Sequence, residues 1–135
     1  MNVRLEEVSD WLYFSTEDLQ SAELLLKEGI FSQACFHAQQ CAEKALKAFV
    51  VFRNGSVKKI HDLNELLDLC YSFGGDDLRA FEAQINFLTK FYTPTRYPDA
   101  APGVLKDRLP NKKDAAEAVA IADAVYAAVN KMIVL

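Results

Sequence analysis

The stretch FSQACFHAQQCAEKALKAFVVF, from Phe31 to Phe52, constrains the fold more than any other. Its apolar residues Phe31, Ala34, Cys35, Ala38, Ala42, Ala45, Leu46, Phe49 and Phe52 recur every three or four positions, which traces one stripe of an α-helix. Four of these residues are alanines. A neighbouring helix can therefore approach toward the short end of the usual range of about 8–10 Å, as expected at the centre of a bundle. Gln33, His37, Gln40, Lys44 and Lys47 share the opposite side and read as a solvated polar seam.

Four further helices flank it, so the chain is expected to be an all-α, up-down bundle of about five helices forming one domain over residues 1–135. The first runs from about Val3 to Lys27 on Leu5, Val8, Trp11, Leu12, Ser15, Leu19, Ala22, Leu25 and Leu26, and Gly29 suits its left-handed cap. The link Glu28 to Ile30 is so short that the first two helices must be antiparallel neighbours. After the turn Arg53-Asn54-Gly55-Ser56, a third helix starts at Asp62, with Glu65 placed as in a capping box, and breaks at Phe73-Gly74-Gly75. A fourth is expected from about Asp76 to Tyr92, ending before Pro94. The fifth runs from Asn111, a good cap, to about Met132. It is apolar almost all round, which predicts burial on more than one side and favours a homodimer.

Composition narrows the function. No run of eighteen apolar residues is present to span a membrane, and the acidic start MNVRLEEVSDW is unlike a secretory leader, so a cytoplasmic protein is expected. Cys35, Cys41 and Cys70 contain no C-x-x-C pair and read as reduced, buried thiols. A net charge of −4 argues against a bulk nucleic-acid binder. Charge is uneven, however. The first 28 residues are acidic, whereas Lys44 to Lys59 and Lys90 to Lys113 are basic, either as solvated helix ends and loop or as two stretches that converge in space.

The connection Thr93 to Pro110 exceeds the length usual between bundle helices, and long loops of this kind are commonly functional or disordered. Its Arg96-Tyr97-Pro98-Asp99 group offers a planar cation, an aromatic face and a carboxylate, suited to a phosphate and a base. The alternative is a rigid connector in which Tyr97 plugs the core and Arg96 pairs with Asp99.

Phe36-His37-Ala38-Gln39-Gln40-Cys41-Ala42-Glu43-Lys44-Ala45-Leu46-Lys47-Ala48, then Lys59-Ile60-His61-Asp62-Leu63, then Arg96-Tyr97-Pro98-Asp99 resemble successive hallmarks of the HEPN (higher eukaryotes and prokaryotes nucleotide-binding) domain. Trp11, Asp18-Leu19 and Ala22 are similar too. The resemblance implies an all-α bundle, commonly dimeric, often a partner of a minimal nucleotidyltransferase in a toxin–antitoxin pair. Many such proteins are metal-independent ribonucleases marked by an Arg, four to six residues, then a His. Here the histidines are His37 and His61, seven residues separate Arg53 from His61, and no histidine follows Arg96 or Arg108.

His61 either packs at a helix start beside Asp62 or serves as a group titrating near neutrality. His37 lies four residues before Cys41, but no further cluster has metal-ligand spacing, so neither a metal nor a cofactor is expected. Lys44 and Lys47 are solvated seam residues or phosphate ligands. Three functions follow. The leading one is a non-catalytic dimeric module that binds a nucleotidyltransferase, a nucleotide, or both through Arg96, Tyr97 and Asp99, helped by His61, Lys44 and Lys47. The others are a ribonuclease toxin with a diverged site, which would act on RNA, and a structural helical adaptor.

Overall fold

The computed structural model describes residues 3–91 and 109–133, and among these it is all-α, with no strand. Helix α1 spans Val3–Lys27, α2 Phe31–Phe52, α3 Leu63–Ser72, α4 Glu82–Leu88 and α5 Lys112–Met132. The expected central helix is the central helix: α2 packs against each of the other four. Its burial goes beyond one stripe, since every residue from Ala45 to Val51 is buried, and the alanine-lined half admits α1 along its length.

The first three helices end the same way. Gly29 N–H bonds to Leu26 O and Ile30 N–H to Leu25 O, the paired bonds of a Schellman motif, with Gly29 at φ +80°. The same pair recurs where Asn54 and Gly55 N–H meet Val51 and Val50 O, and where Gly74 and Gly75 N–H meet Tyr71 and Cys70 O. Asn54 (φ 69°) and Gly74 (φ 85°) hold the left-handed position there. Each motif satisfies terminal carbonyls and turns the chain sharply back on itself, which is how short links produce antiparallel neighbours.

The N-termini follow the expected caps with one difference. Asp62 accepts from Asn64 and Glu65 N–H, capping α3, and Asn111 and Asp114 form a complete capping box at α5 with both bonds at 2.9 Å. The single helix expected from Asp76 to Tyr92 is instead a 3-10 turn (Asp76–Phe81), α4, and a second 3-10 turn (Thr89–Phe91). Its inward residues Leu78, Phe81, Ile85, Leu88 and Phe91 explain this. Their successive steps are three, four, three and three residues, and the steps of three at the two ends match three per turn.

Thiols and hydroxyls stitch the helices where alanines bring backbones close. Ser15 Oγ donates to Cys41 O at 2.7 Å, Cys41 Sγ faces Ala122 O of α5, and Cys70 Sγ faces Leu46 O of α2. Arg4 donates to Gly55 O, pinning the start of α1 to the end of α2. All three cysteines are free and buried, as expected. No helix among the described residues is long and apolar enough to cross a membrane.

Candidate functional site at the α1–α2 seam

Because α1 and α2 are antiparallel, residues three and four apart on one meet residues three and four apart on the other in reverse order. Trp11 and Phe14 thus face Lys47 and Lys44, and Asp18 sits between Lys44 and His37, two turns apart on α2. Lys47 Nζ lies 5.0 Å from the Trp11 ring centroid and Lys44 Nζ 6.0 Å from that of Phe14. Asp18 receives Lys44 Nζ at 2.6 Å on one carboxylate oxygen and His37 Nδ1 at 2.9 Å on the other. Burial pushes the Asp18 carboxyl up, but the hydrogen bonds from His37 and Lys44 and the Lys44 charge outweigh it and hold the carboxyl below its ordinary value.

A second cluster lies one helical row away. Glu43 and Lys47, four residues apart, pair at 2.9 Å with both side chains only 4% exposed. His61, in the link before α3, brings Nδ1 to 3.1 Å from the same Glu43 oxygen. Gln40 Nε2 donates to Gln39 Oε1 at 2.7 Å and to Glu43 Oε1 at 3.3 Å, joining the cluster to its buried neighbour Gln39. No buried side-chain nitrogen or oxygen among the described residues lacks a partner.

The arrangement corrects the expectation of a solvated seam. Lys47 is buried on a carboxylate, with its ammonium against the Trp11 ring, whereas Lys44 is partly exposed and tied to Asp18. His61 is brought to the Lys47 cluster through Glu43 and keeps 57% of its side chain exposed. Arg96, Tyr97 and Asp99 lie outside the described residues. Arg53 donates to Phe73 O and lies over the Phe49 ring. Glu43, Asp18, Gln39 and Trp11 were not singled out as site residues from the sequence. The one available signal was the row Gln39-Glu43-Lys47, spaced at four, which places opposite charges side by side. Among the described residues no group of three His, Cys, Asp or Glu is placed to hold a metal ion.

Chemically, the seam is a polar network whose cations are each matched by an internal carboxylate. It can orient an exposed imidazole through a buried carboxylate, and it leaves little bare positive charge for phosphate.

The sequence pattern that defines the HEPN domain matches residues 8–132. The toxin candidate MJ1304 of Methanocaldococcus jannaschii is 31% identical over 117 residues, covering 81% of this chain and 76% of that protein. The crystal structure of TT1696 from Thermus thermophilus superposes with a TM-score of 0.74 at 31% identity, covering 92% of this chain and 96% of that one. ST0689, an archaeal HEPN homologue, gives the same TM-score and identity over 94% and 98% of the two chains. With a match of this extent over the helices that build the seam, the chain belongs to the HEPN domain family.

Proposed function

We propose that this protein is a non-catalytic, homodimeric HEPN module, with residues 1–135 acting as one domain, that works with a minimal nucleotidyltransferase in a toxin–antitoxin type system. In this reading Arg96, Tyr97 and Asp99 make the contact with the partner or with a nucleotide. Lys44 and His61 border that contact, and Lys47 supports His61 from beneath through Glu43.

The observation that carries the reading is the internal pairing of Lys44, Lys47, His37 and His61 with Asp18 and Glu43. Phosphate capture on RNA uses uncommitted cations, and those of the seam are committed. The absence of an Arg-x4-6-His run in the sequence points the same way. The Methanocaldococcus relative carries the name of a toxin candidate, which favours a toxin–antitoxin setting. Exposed Ala116, Ala120 and Ala127 on α5 offer a second chain a face of small residues.

The test is co-purification with a nucleotidyltransferase encoded beside it, together with calorimetric titration of ATP and of a short single-stranded RNA. A stable complex and intact RNA are expected, with any ATP binding lost in Arg96→Ala. Failure to form the complex, with no affinity for either ligand, would leave only an adaptor role.

One observation favours a second reading, a metal-independent ribonuclease. A buried Glu43 carboxylate orienting the exposed His61 imidazole is an arrangement that general acid–base sites use. RNA cleavage abolished by His61→Ala or Arg96→Ala would establish it and overturn the first.

A further inference from the structure

The flank of α1 beside the two polar clusters carries a further feature. Glu7, Asp10, Trp11 and Phe14, at helical spacing, line a shallow groove of about 290 Å³. Its floor is aromatic. Phe14 is 47% exposed, with the Tyr13 ring edge-on to it at 5.3 Å, and Tyr13 is itself exposed. The floor is also held in place: Trp11 Nε1 donates to Glu7 at 3.3 Å, and Lys47 and Lys44 sit against the Trp11 and Phe14 rings. Exposed aromatic surface on a preorganised helix face is what an interaction site presents.

Charge decides the occupant. The cations set against the rings of the groove are already paired, Lys44 with Asp18 and Lys47 with Glu43. Glu7 and Asp10 are both exposed, and among the described residues no cation pairs with either. The rim is therefore acidic over an apolar floor, which repels phosphate and attracts a cation followed by apolar side chains.

The geometry points to this groove as the docking site for a basic amphipathic helix of a partner protein, its apolar face on Trp11 and Phe14 and its Lys or Arg residues on Glu7 and Asp10. The assignment does not depend on nucleotide binding by the loop at Arg96. It names a surface on the flank of α1 beside α2.

Trp11 is the only tryptophan, so its emission reports occupancy directly. The full-length protein is titrated with a short amphipathic helix built from lysine and leucine, with the same peptide carrying glutamate for lysine, and with a single-stranded RNA. A saturable change in Trp11 emission is expected with the lysine peptide alone. It should weaken roughly three- to tenfold in Glu7→Gln/Asp10→Asn, and fall with added salt. It should be unchanged in Asp76→Asn/Asp77→Asn, which removes two acids elsewhere on the surface. No response, an equal response to the glutamate peptide, a response to RNA, or equal weakening by both double variants would each overturn the assignment.

Discussion

The buried pair Glu43–Lys47 makes a prediction whose asymmetry comes from the structure. Breaking a buried ion pair by removing one partner costs about 3–5 kcal/mol, because the other charge is left uncompensated. The two ends of this pair are not left equally stranded. With Lys47→Met, Glu43 keeps His61 Nδ1 and Gln40 Nε2 within hydrogen-bond range, and methionine fills much of the volume of the lysine stem. The cost should fall near 2 kcal/mol, below the usual range. With Glu43→Gln, the Lys47 ammonium at 4% exposure keeps a neutral amide oxygen and the Trp11 face, the latter worth about 1–2 kcal/mol and already present in the native protein, but loses the only carboxylate it is paired with among the described residues. That variant should lose about 4 kcal/mol. The double variant Glu43→Gln/Lys47→Met removes both charges and should lie within about 2 kcal/mol of the native protein. A coupling of about 4 kcal/mol follows, far above that of an exposed pair. Urea unfolding followed by circular dichroism at fixed protein concentration measures all four corners. At about 3–4 °C per kcal/mol for a chain of this length, Glu43→Gln should melt about 12–16 °C lower. Additive single costs, or a Glu43→Gln cost no larger than that of Lys47→Met, would refute the reasoning.

Other perturbations follow from the same geometry. The Asp18 carboxyl is held below its unfolded value, so its contribution is complete above about pH 4 and is lost as pH falls through the folded value. Asp18→Asn should lower stability at pH 7 by about 1–3 kcal/mol and flatten the acid limb of a urea-midpoint profile, and an unchanged acid limb would contradict this. Burial pushes the thiols of Cys35, Cys41 and Cys70 up to about 12, so a disulfide reagent at pH 7.5 should label none within minutes and all three after denaturation. Gly29→Ala places its methyl in open space at φ +80°, so it should cost about 1–2 kcal/mol through the backbone alone, as chemical denaturation would read. Asn111→Ala removes half of a complete capping box and should cost about 1 kcal/mol in the same assay.

Much of the bundle is written in local pattern. Gly29, Asp62 and Asn111 act at helix ends, where residue type and backbone geometry are tightly linked, and they were legible one by one. The span from Asp76 to Phe91 was harder because a three-residue and a four-residue apolar spacing differ by one position, yet they select different helices. The seam was legible only in part. Lys44 and His61 could be singled out as polar residues, but periodicity describes Lys47 as solvent-facing. Its burial depends on Trp11, 36 positions earlier in the chain, folding over it. Glu43 was hidden for a related reason: a carboxylate enters a core only when its partners come with it, and two of them, His61 and Lys47, sit on different segments. Arg96, Tyr97 and Asp99 stay an inference from residue chemistry.

The hub position of α2 also orders events in time. Its contacts with α1 are complete once the chain has passed about residue 55, and they need only the closure of a three-residue link, so this hairpin should gather early. Its other flank waits for α5, where Cys41 meets Ala122 across 81 positions of sequence. During synthesis, the flank of α2 that faces α5 is thus the last to be covered. A nascent chain halted before residue 112 would display it to chaperones and proteases, and hydrogen exchange on such a fragment would find α1 and α2 protected at their shared face and α2 open on the other.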